Sequence, residues 1–575
     1  MILQLLMNQR RMNMSERKPN LLLPIGAVLV LAAGGYGAYY FYQQQQGVKV
    51  EGVTASAKFV PKVAVAGLSI SSDAKAWQSL DRFQSEALKK LVQESTKELL
   101  PLELDYVQDL QPWMGQVFVG FLPEAKPQAQ LPPTVLFTQA ESAPPEVVPP
   151  KVEVLPEASQ GQFVAVIEVK DKGKAEQFVT TKVKPKLSSP PQEGEYKGVK
   201  FFETKEMTGA FIDRYLVLAG NRSTLEHSID TFQGGESFVV PDFNVALSQP
   251  LVQFYIPNLP NALKQVGRND PNSALSQPLL DRVQAQAQAM VVGLGVEDAG
   301  LRLQTIVKLG PKAVPFQPAP GKVISQFPAD TYFLFSGFNF KQTWETILEQ
   351  SKVEPSQQEG IDQIRRGFKE NLNLDLDKDI IAWMDGEFAL GIIPSEEGIL
   401  KQTRSGIAAV FQTSDRKAAE AALTKIDDLT NQFPFRVSVE EKDIAGVKVQ
   451  EWTSSITPGS ILSHGWHQPD TFFVAMGPLS QVMVSKQTNS LADSEAFKTI
   501  AGKLNPKNQG YFYLNLDKMW SIYAKEILAS VPPAQAEKSS TIAKAINGIA
   551  MVYSQPNAQQ SQLDMLISLK PATAQ

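Results

Sequence analysis

The sequence predicts an α+β fold: an N-terminal transmembrane helix, then two homologous units, each a mostly antiparallel sheet with helices on one face. Three observations predict it. An apolar run without charge covers residues 21–42, and two long stretches match each other at offsets of 244 to 270 residues. Short connections join segments in which apolar and polar residues alternate, and this pattern favours antiparallel strands.

The transmembrane helix is predicted at residues 21–42 because 22 residues at 1.5 Å each span the roughly 30 Å of a bilayer core. Four basic side chains and one acidic side chain precede the run, and four uncharged glutamines follow it. The positive-inside rule therefore places the N-terminus in the cytoplasm and the remaining chain across the membrane.

A cleaved signal peptide is the alternative interpretation of this run. The run is longer than a signal-peptide core of roughly 7 to 15 residues, and it ends in the aromatic cluster Tyr39–Tyr42, which is typical of a membrane interface. Both features favour a retained anchor. Met14 offers a second start site, since the sequence after it forms a short charged tail before the helix.

Composition excludes several classes of function. The 575 residues include 55 basic and 60 acidic side chains, so the net charge of -5 offers no basic surface for nucleic acid. Cysteine is absent and histidine occurs three times, which excludes thiolate chemistry, iron–sulfur clusters and the usual zinc sites. The absence of cysteine also fits export to an oxidising compartment.

The internal duplication organises the rest of the chain. Pro61 and Trp77 match Pro328 and Trp344 at an offset of 267, and the final apolar strands match at 260. A stretch rich in proline near 123–156 is an insertion in the first copy. The predicted organisation is a basic cytoplasmic tail at 1–20, the transmembrane helix at 21–42, a linker at 43–59, a first unit at 60–310, a proline-rich linker at 311–325, a second unit at 326–570 and a tail at 571–575.

Each unit is expected to open with a strand, at 63–70 or 332–338, followed by a helix that Ser72 or Asn339 caps. A later amphipathic helix begins after Ser414, its predicted cap, and repeats apolar residues as far as Phe433. A hairpin joins the segments 290–296 and 301–309. A cleft between the two units is then the default site for a ligand or partner.

One block of residues occurs in both units and resembles a known family. Leu102, Leu104, Asp105, Asp109, Trp113 and Met114 match Leu372, Leu374, Asp375, Asp379, Trp383 and Met384 at an offset of 270. With the N-terminal anchor, this block resembles the membrane-anchored proteins, known mainly from cyanobacteria, catalogued as domain of unknown function 3352. The resemblance implies a cyanobacterial source and a location in the periplasm or thylakoid lumen, and it supplies no activity and no catalytic residues.

Two groups of residues have the spacing of metal ligands. Asp375, Asp377 and Asp379 have the spacing of the first three ligands of a calcium-binding loop. The glycine and the final glutamate of such a loop are missing, so a solvated turn is expected. His464 and His467 lack a third ligand nearby and are expected in a variable surface loop.

Other candidate motifs also favour structural interpretations. His227 lies alone on a predicted helix, and Gly293 and Gly295 lack the third glycine and the helix of a dinucleotide site. Four tryptophans pair across the duplication and are expected to fill equivalent core positions, with a ligand platform as the alternative. They are Trp77, Trp113, Trp344 and Trp383.

We therefore expect no catalytic, cofactor-binding or metal-binding residues and no cofactor. The leading hypothesis is a non-enzymatic, single-pass protein of the inner or thylakoid membrane whose duplicated domain binds other proteins and assists the assembly of complexes. Its expected partners are the lipid bilayer, through the N-terminal helix, and other membrane or extracytoplasmic proteins, with no nucleic acid. The alternative is a binder of lipid or pigment in the cleft between the units, and an enzyme is the third possibility.

Overall fold

A computed structural model describes residues 52–83, 89, 109–123, 163–183, 185, 190–205, 207–269, 277–313, 316–352, 355–432, 436–454, 459–485 and 489–572. The predicted transmembrane helix at 21–42 and most of the proline-rich insertion at 123–156 lie outside these residues. The chain divides into two compact units. The smaller unit contains the described residues of 52–72 and 109–240, and the larger unit contains those of 73–89 and 241–572.

The smaller unit is an antiparallel sheet with three helices. Its strands pair in the order β1-β2-β3-β7-β6-β5-β4. The strands are β1 (Ala66–Ile70), β2 (Met114–Phe121), β3 (Phe163–Val169), β4 (Gln192–Tyr196), β5 (Val199–Glu203), β6 (Thr208–Ile212) and β7 (Tyr215–Ala219), and the helices are α1 (Val53–Ala57), α3 (Lys172–Phe178) and α4 (Arg222–Phe232).

The larger unit holds the remaining strands. They are β8 (Pro250–Ile256), β9 (Ala287–Glu297), β10 (Gly300–Leu309), β11 (Phe333–Phe338), β12 (Glu387–Pro394), β13 (Ser405–Gln412), β14 (Val437–Ile444), β15 (Val447–Ser454), β16 (Ser460–Gln468), β17 (Thr471–Met476), β18 (Tyr511–Asn515), β19 (Ile546–Asn557) and β20 (Gln560–Leu569). All pairings are antiparallel, in the order β8-β9-β10-β20-β19-β18-β11-β12-β13-β17-β16-β15-β14.

Helices of the larger unit connect these strands. They are α2 (Ala74–Gln78), α5 (Leu259–Asn269), α6 (Gln277–Gln286), α7 (Phe340–Ser351), α8 (Pro355–Leu372), α9 (Arg416–Asp427), α10 (Leu479–Val484), α11 (Glu495–Ile500), α12 (Leu516–Ser530) and α13 (Pro533–Ala545). Among the residues that the structure describes, no helix combines the length and the apolar composition needed to cross a membrane.

The expected mixture of helices and antiparallel strands is confirmed, and so is the hairpin between residues 290–296 and 301–309. Strands β9 and β10 pair along their length and turn at Asp298 and Ala299, where Gly300 takes a φ of 144°. Glycine is needed there, because a Cβ at Gly300 would meet the carbonyl oxygen of Ile567 on β20.

Helices pack on both faces of the larger sheet, so the expectation of helices on one face is wrong. Phe473 of β17 packs with Leu479 of α10 and Phe497 of α11 in the main core. Its neighbour Phe472 points to the opposite face and packs with Leu423 of α9. The reason is that β17 is apolar at successive positions, so both of its faces require cover.

The predicted helix caps differ in detail. Asn339 accepts a hydrogen bond from the amide of Gln342 at the start of α7, as expected. Asp73, not Ser72, caps α2, and Asp415, not Ser414, caps α9. The Ser414 hydroxyl and amide instead donate to the carboxylate of Asp385, which leaves the next residue to accept from the first turn of the helix.

Candidate functional site

The three aspartates with calcium-loop spacing form hydrogen bonds and ion pairs within the protein. Asp375 accepts hydrogen bonds from two amides of the turn that follows it. Asp377 accepts from the indole of Trp344 at 2.6 Å and pairs with Arg365, and Asp379 pairs with Lys425 at 2.7 Å. The bond from Lys425 holds the pKa of Asp379 below its usual value. These carboxylates thus join α7, α8, α9 and the turn at 376–381.

The two close histidines lie on strand β16, so the expectation of a variable surface loop is wrong. His464 is buried, and its Nε2 lies 3.0 Å from the Asp427 carboxylate at the end of α9. Trp452 donates to the same carboxylate at 2.7 Å. The His467 ring lies tilted against the Phe473 ring, with centroids 4.9 Å apart, and burial lowers the pKa of His467. The nine-residue extension lengthens a paired strand instead of forming a loop.

The remaining candidates have structural positions too. His227 lies on α4 and is exposed. Gly293 and Gly295 lie within β9, where a Cβ would meet Val245 or the backbone of Gln249, so they allow close packing and do not cradle a phosphate. Within the described ranges, no three histidine or acidic side chains are grouped to hold a metal ion.

The tryptophans divide into two pairs. Trp113 and Trp383 are buried, and each indole donates to a backbone carbonyl four residues earlier, Asp109 at 2.7 Å and Asp379 at 2.9 Å. The core interpretation is confirmed for these two. Trp77 and Trp344 are half-buried, and Trp77 packs beside Phe83 and Leu251.

One surface of the larger sheet differs from an ordinary solvent face. Registered partners on six neighbouring strands form a continuous apolar row from β10 to β12. Because directly paired residues point to the same face, these side chains are neighbours. In order across the sheet they are Leu303, Met565, Met551, Phe512, Phe335 and Leu390.

A second apolar row runs beside the first and reaches β13. Its members are Leu301, Ile567, Ile549, Leu514, Phe333, Ile392 and Ile407. We call the thirteen side chains of these two rows the open face. None of them is buried: Phe335 is 46% exposed, Ile407 43% and Leu390 38%, and the other ten are half-buried.

The opposite face of the same strands is a closed core. Leu334, Tyr513 and Ala550 are fully buried there, together with Val410. An ion pair lies on this side as well, where Arg302 of β10 donates to the wholly buried Asp564 of β20 at 2.8 and 2.5 Å. The charged groups of this region are therefore directed to the core side and leave the open face apolar.

Three of the described helices border the open face: α9, α12 and α2, since Leu301 packs against the cluster that contains Ala76 of α2. Helix α9 covers Phe472 and Val474 beyond its β13 edge. Helix α12 leaves β18, packs on β19 and is fixed by Tyr523, whose hydroxyl donates to the Thr403 carbonyl at 2.6 Å and contacts Ser405 at the start of β13. Helix α12 has no fully buried side chain. Its apolar side chains, such as Trp520 and Ile522, are half-buried, and the thirteen side chains of the open face remain partly exposed beside it.

A small groove lies between α5 and α6. Its volume is about 210 Å³, and its lining is largely polar, with Lys264 and Asp281 beside Asn258 and Gln284. A groove this size and this open is smaller than an ordinary small-molecule site of roughly 300 Å³ or more. The open face is the larger unexplained surface, and it could be found only from strand register, because no single segment of sequence carries it.

The chain matches, over residues 24–569, the family model described as "Protein of unknown function (DUF3352)". It belongs to this family. Two solved structures of TP0453 are similar to part of the chain. Crystal form III shares 11% identity, with a TM-score of 0.25, and the match covers 50% of this chain and 90% of TP0453. Crystal form I shares 11% identity, with a TM-score of 0.24, and the match covers 50% and 88%. No curated protein matches the chain.

Proposed function

We propose that the protein is a non-catalytic binding protein, held at a membrane by the helix at 21–42, that carries a partner on the open face. The observation behind this proposal is the apolar character of thirteen adjacent, incompletely buried side chains. Contiguous apolar patches of this kind mark interaction sites in soluble domains.

We also propose that the chain contains an internal duplication, and the order of the strands supports it. Strands β1 to β7 pair in the order 1-2-3-7-6-5-4, and strands β11 to β17 pair in the corresponding order. The hairpins β4–β5 and β14–β15 turn through the same left-handed pairs, Lys197-Gly198 and Ala445-Gly446. Independent sequences rarely share both features.

Repeated side-chain contacts also support the duplication. The pair Asp109–Lys182 at 3.0 Å corresponds to Asp379–Lys425 at 2.7 Å. In the register of β10 with β20, Gln304 lies opposite Asp564, its own counterpart at an offset of 260. Pairing between two matching strands is expected where two copies of one ancestral unit have been fused.

The non-catalytic part of the proposal is supported by how the candidate groups are used. Asp377, Asp379 and Asp427 each have hydrogen-bond or ion-pair partners in structural contacts, and so does His464. We propose the location that the sequence predicts, with the N-terminus in the cytoplasm and the rest of the chain in the periplasm or thylakoid lumen. A protein partner is the first candidate from the sequence, and a lipid or pigment is the second.

A photo-crosslinker at the open face tests the proposal. p-Benzoylphenylalanine would replace Phe335 in the full-length protein, and native membranes would be irradiated before purification. We expect a covalent adduct at position 335. The matched control replaces Val239, which is 64% exposed and lies outside the open face. Adducts at neither position, or equal adducts at both, would contradict binding at this face.

A further inference from the structure

We infer that the occupant of the open face is the hydrocarbon chain of a membrane lipid. This inference rests on the proposed function, because it names the partner of the same surface. Three properties of the open face carry it: the lack of hydrogen-bonding groups, the area and the dimensions. A fourth argument comes from the predicted anchor.

The open face offers a partner almost no hydrogen bonds. Its thirteen side chains belong to leucine, isoleucine, phenylalanine and methionine, and the backbone groups of its strands are used in the sheet ladder. A protein interface forms about one hydrogen bond per 100–200 Å², and a polar group buried without a partner is costly. A hydrocarbon chain has no such group to satisfy.

The area of the open face argues in the same direction. With strands about 4.8 Å apart and alternate residues about 6.8 Å apart, thirteen side chains occupy roughly 400 Å². A stable protein partner, or a second copy of this chain, buries about 800 Å² on each side. The open face is thus about half the size that a stable protein complex needs.

The dimensions of the open face suit acyl chains. Each row crosses at least six strands, a distance of about 24 Å, and the two rows lie about 7 Å apart. One leaflet of a bilayer core is about 15 Å thick, which is the depth that one acyl chain spans. The two acyl chains of one lipid are therefore shorter than the two rows and fit along them.

The predicted anchor would attach the first residues of the smaller unit to a membrane, which is a supply of lipid. Ten residues, 43–52, separate the predicted transmembrane helix from helix α1, which begins at Val53. A fully extended chain of ten residues spans at most about 35 Å. Val53, where the smaller unit begins, is therefore expected within about 35 Å of the bilayer surface.

A photoactivatable lipid tests this inference. The full-length protein would be reconstituted through its anchor into phosphatidylglycerol vesicles that contain a phosphatidylglycerol with a diazirine at the end of one acyl chain. After irradiation, we expect labelled peptides from the anchor and from the strands of the open face, notably around Phe512 and Met551. The anchor peptide serves as the internal sign of correct insertion.

Variants of the open face distinguish labelling by lipid bound at that face from non-specific labelling of the protein surface. The double variant Phe335→Gln with Leu390→Gln should lose at least tenfold of the labelling on strands β18 and β19 while the anchor remains labelled. The single variant Met551→Gln provides a milder change in case the double variant is unstable, and circular dichroism checks that each variant is folded. The control Val239→Gln should be labelled like the wild type.

The outcomes distinguish this inference from the proposed function. Labelling confined to the anchor, together with a protein adduct at position 335 in native membranes, would overturn the lipid and retain the binding face. Labelling confined to the anchor with no adduct at position 335 would overturn both. Equal strand labelling in the wild type and in the double variant would also overturn the lipid assignment.

Discussion

The two faces of the larger sheet are made from the same strands but have different surroundings. On β11, Leu334 is fully buried in the main core, whereas Phe335, the next residue, is 46% exposed. Both positions are apolar. An antiparallel sheet with one solvated face usually alternates apolar and polar residues, and β11, β12 and β19 do not.

The contrast supports our proposal that the apolar side chains of the open face bind a partner. The core face contains the packed rings of Tyr513 and Phe473 and the ion pair of Arg302 with Asp564, so it is closely packed along these strands. The open face adds apolar area that the described residues leave incompletely covered. We propose that an external occupant covers that area.

Trp383→Ala is expected to have the largest effect on stability. Trp383 is 5% exposed and packs with Phe411 and Phe472, where helix α9 covers the sheet. Its truncation should lower the free energy of unfolding by about 3–5 kcal/mol, measured by urea denaturation. An unchanged midpoint with loss of partner binding would instead support the ligand-platform interpretation.

Asp564→Ala should cost about 3 kcal/mol, because the Arg302 guanidinium remains partly buried without its carboxylate. This loss of unfolding free energy is at the low end of the range for removing one partner of a buried ion pair, because Arg302 is partly exposed to water. Replacing both partners, as Arg302→Met with Asp564→Leu, should recover most of the loss. If the double variant is no more stable than Asp564→Ala, the unpaired charge is not the cause.

Leu334→Ala should lower the free energy of unfolding by about 2–3 kcal/mol, because it leaves a cavity in the main core. Thermal or urea unfolding, read by near-ultraviolet circular dichroism, measures the change. A loss below about 0.5 kcal/mol would mean that the core face is not closely packed, and the distinction between the faces would fail.

Phe335→Ala should cost less than about 1 kcal/mol, the smallest effect of the series, since its ring is nearly half exposed. The comparison with Leu334→Ala is direct because the two residues are adjacent on one strand. If Phe335→Ala destabilises the purified protein as much as Leu334→Ala, the ring is part of a closed core and the open face does not exist.

Local features of the fold were predictable from the sequence. The hairpin of β9 and β10 follows from alternation and a short connection, and helix α9 follows from its apolar period. Pairings such as β3 with β7 and β10 with β20 were not predictable, because they join segments distant in sequence. For the same reason the sequence placed His464 in a loop, although its burial depends on Asp427, 37 residues away.

The open face itself required the register of seven strands. Phe335 and Phe512 are 177 positions apart and become neighbours only through the pairing of β11 with β18. The sequence showed that each segment was apolar but could not show which apolar residues the core would bury. Its default site, a cleft between the homologous units, is replaced in our proposal by a surface within the larger unit.

Methionine oxidation tests the central claim most directly, because Met551 and Met565 lie side by side on the open face and Met483 is buried in the core. Hydroxyl-radical labelling would be compared in native membranes and in the purified protein stripped of bound molecules. We predict that Met551 and Met565 are protected in membranes and reactive after stripping, while Met483 is protected in both. Protection of all three after stripping, or equal reactivity of Met551 and Met565 in both states, would contradict an occupied open face.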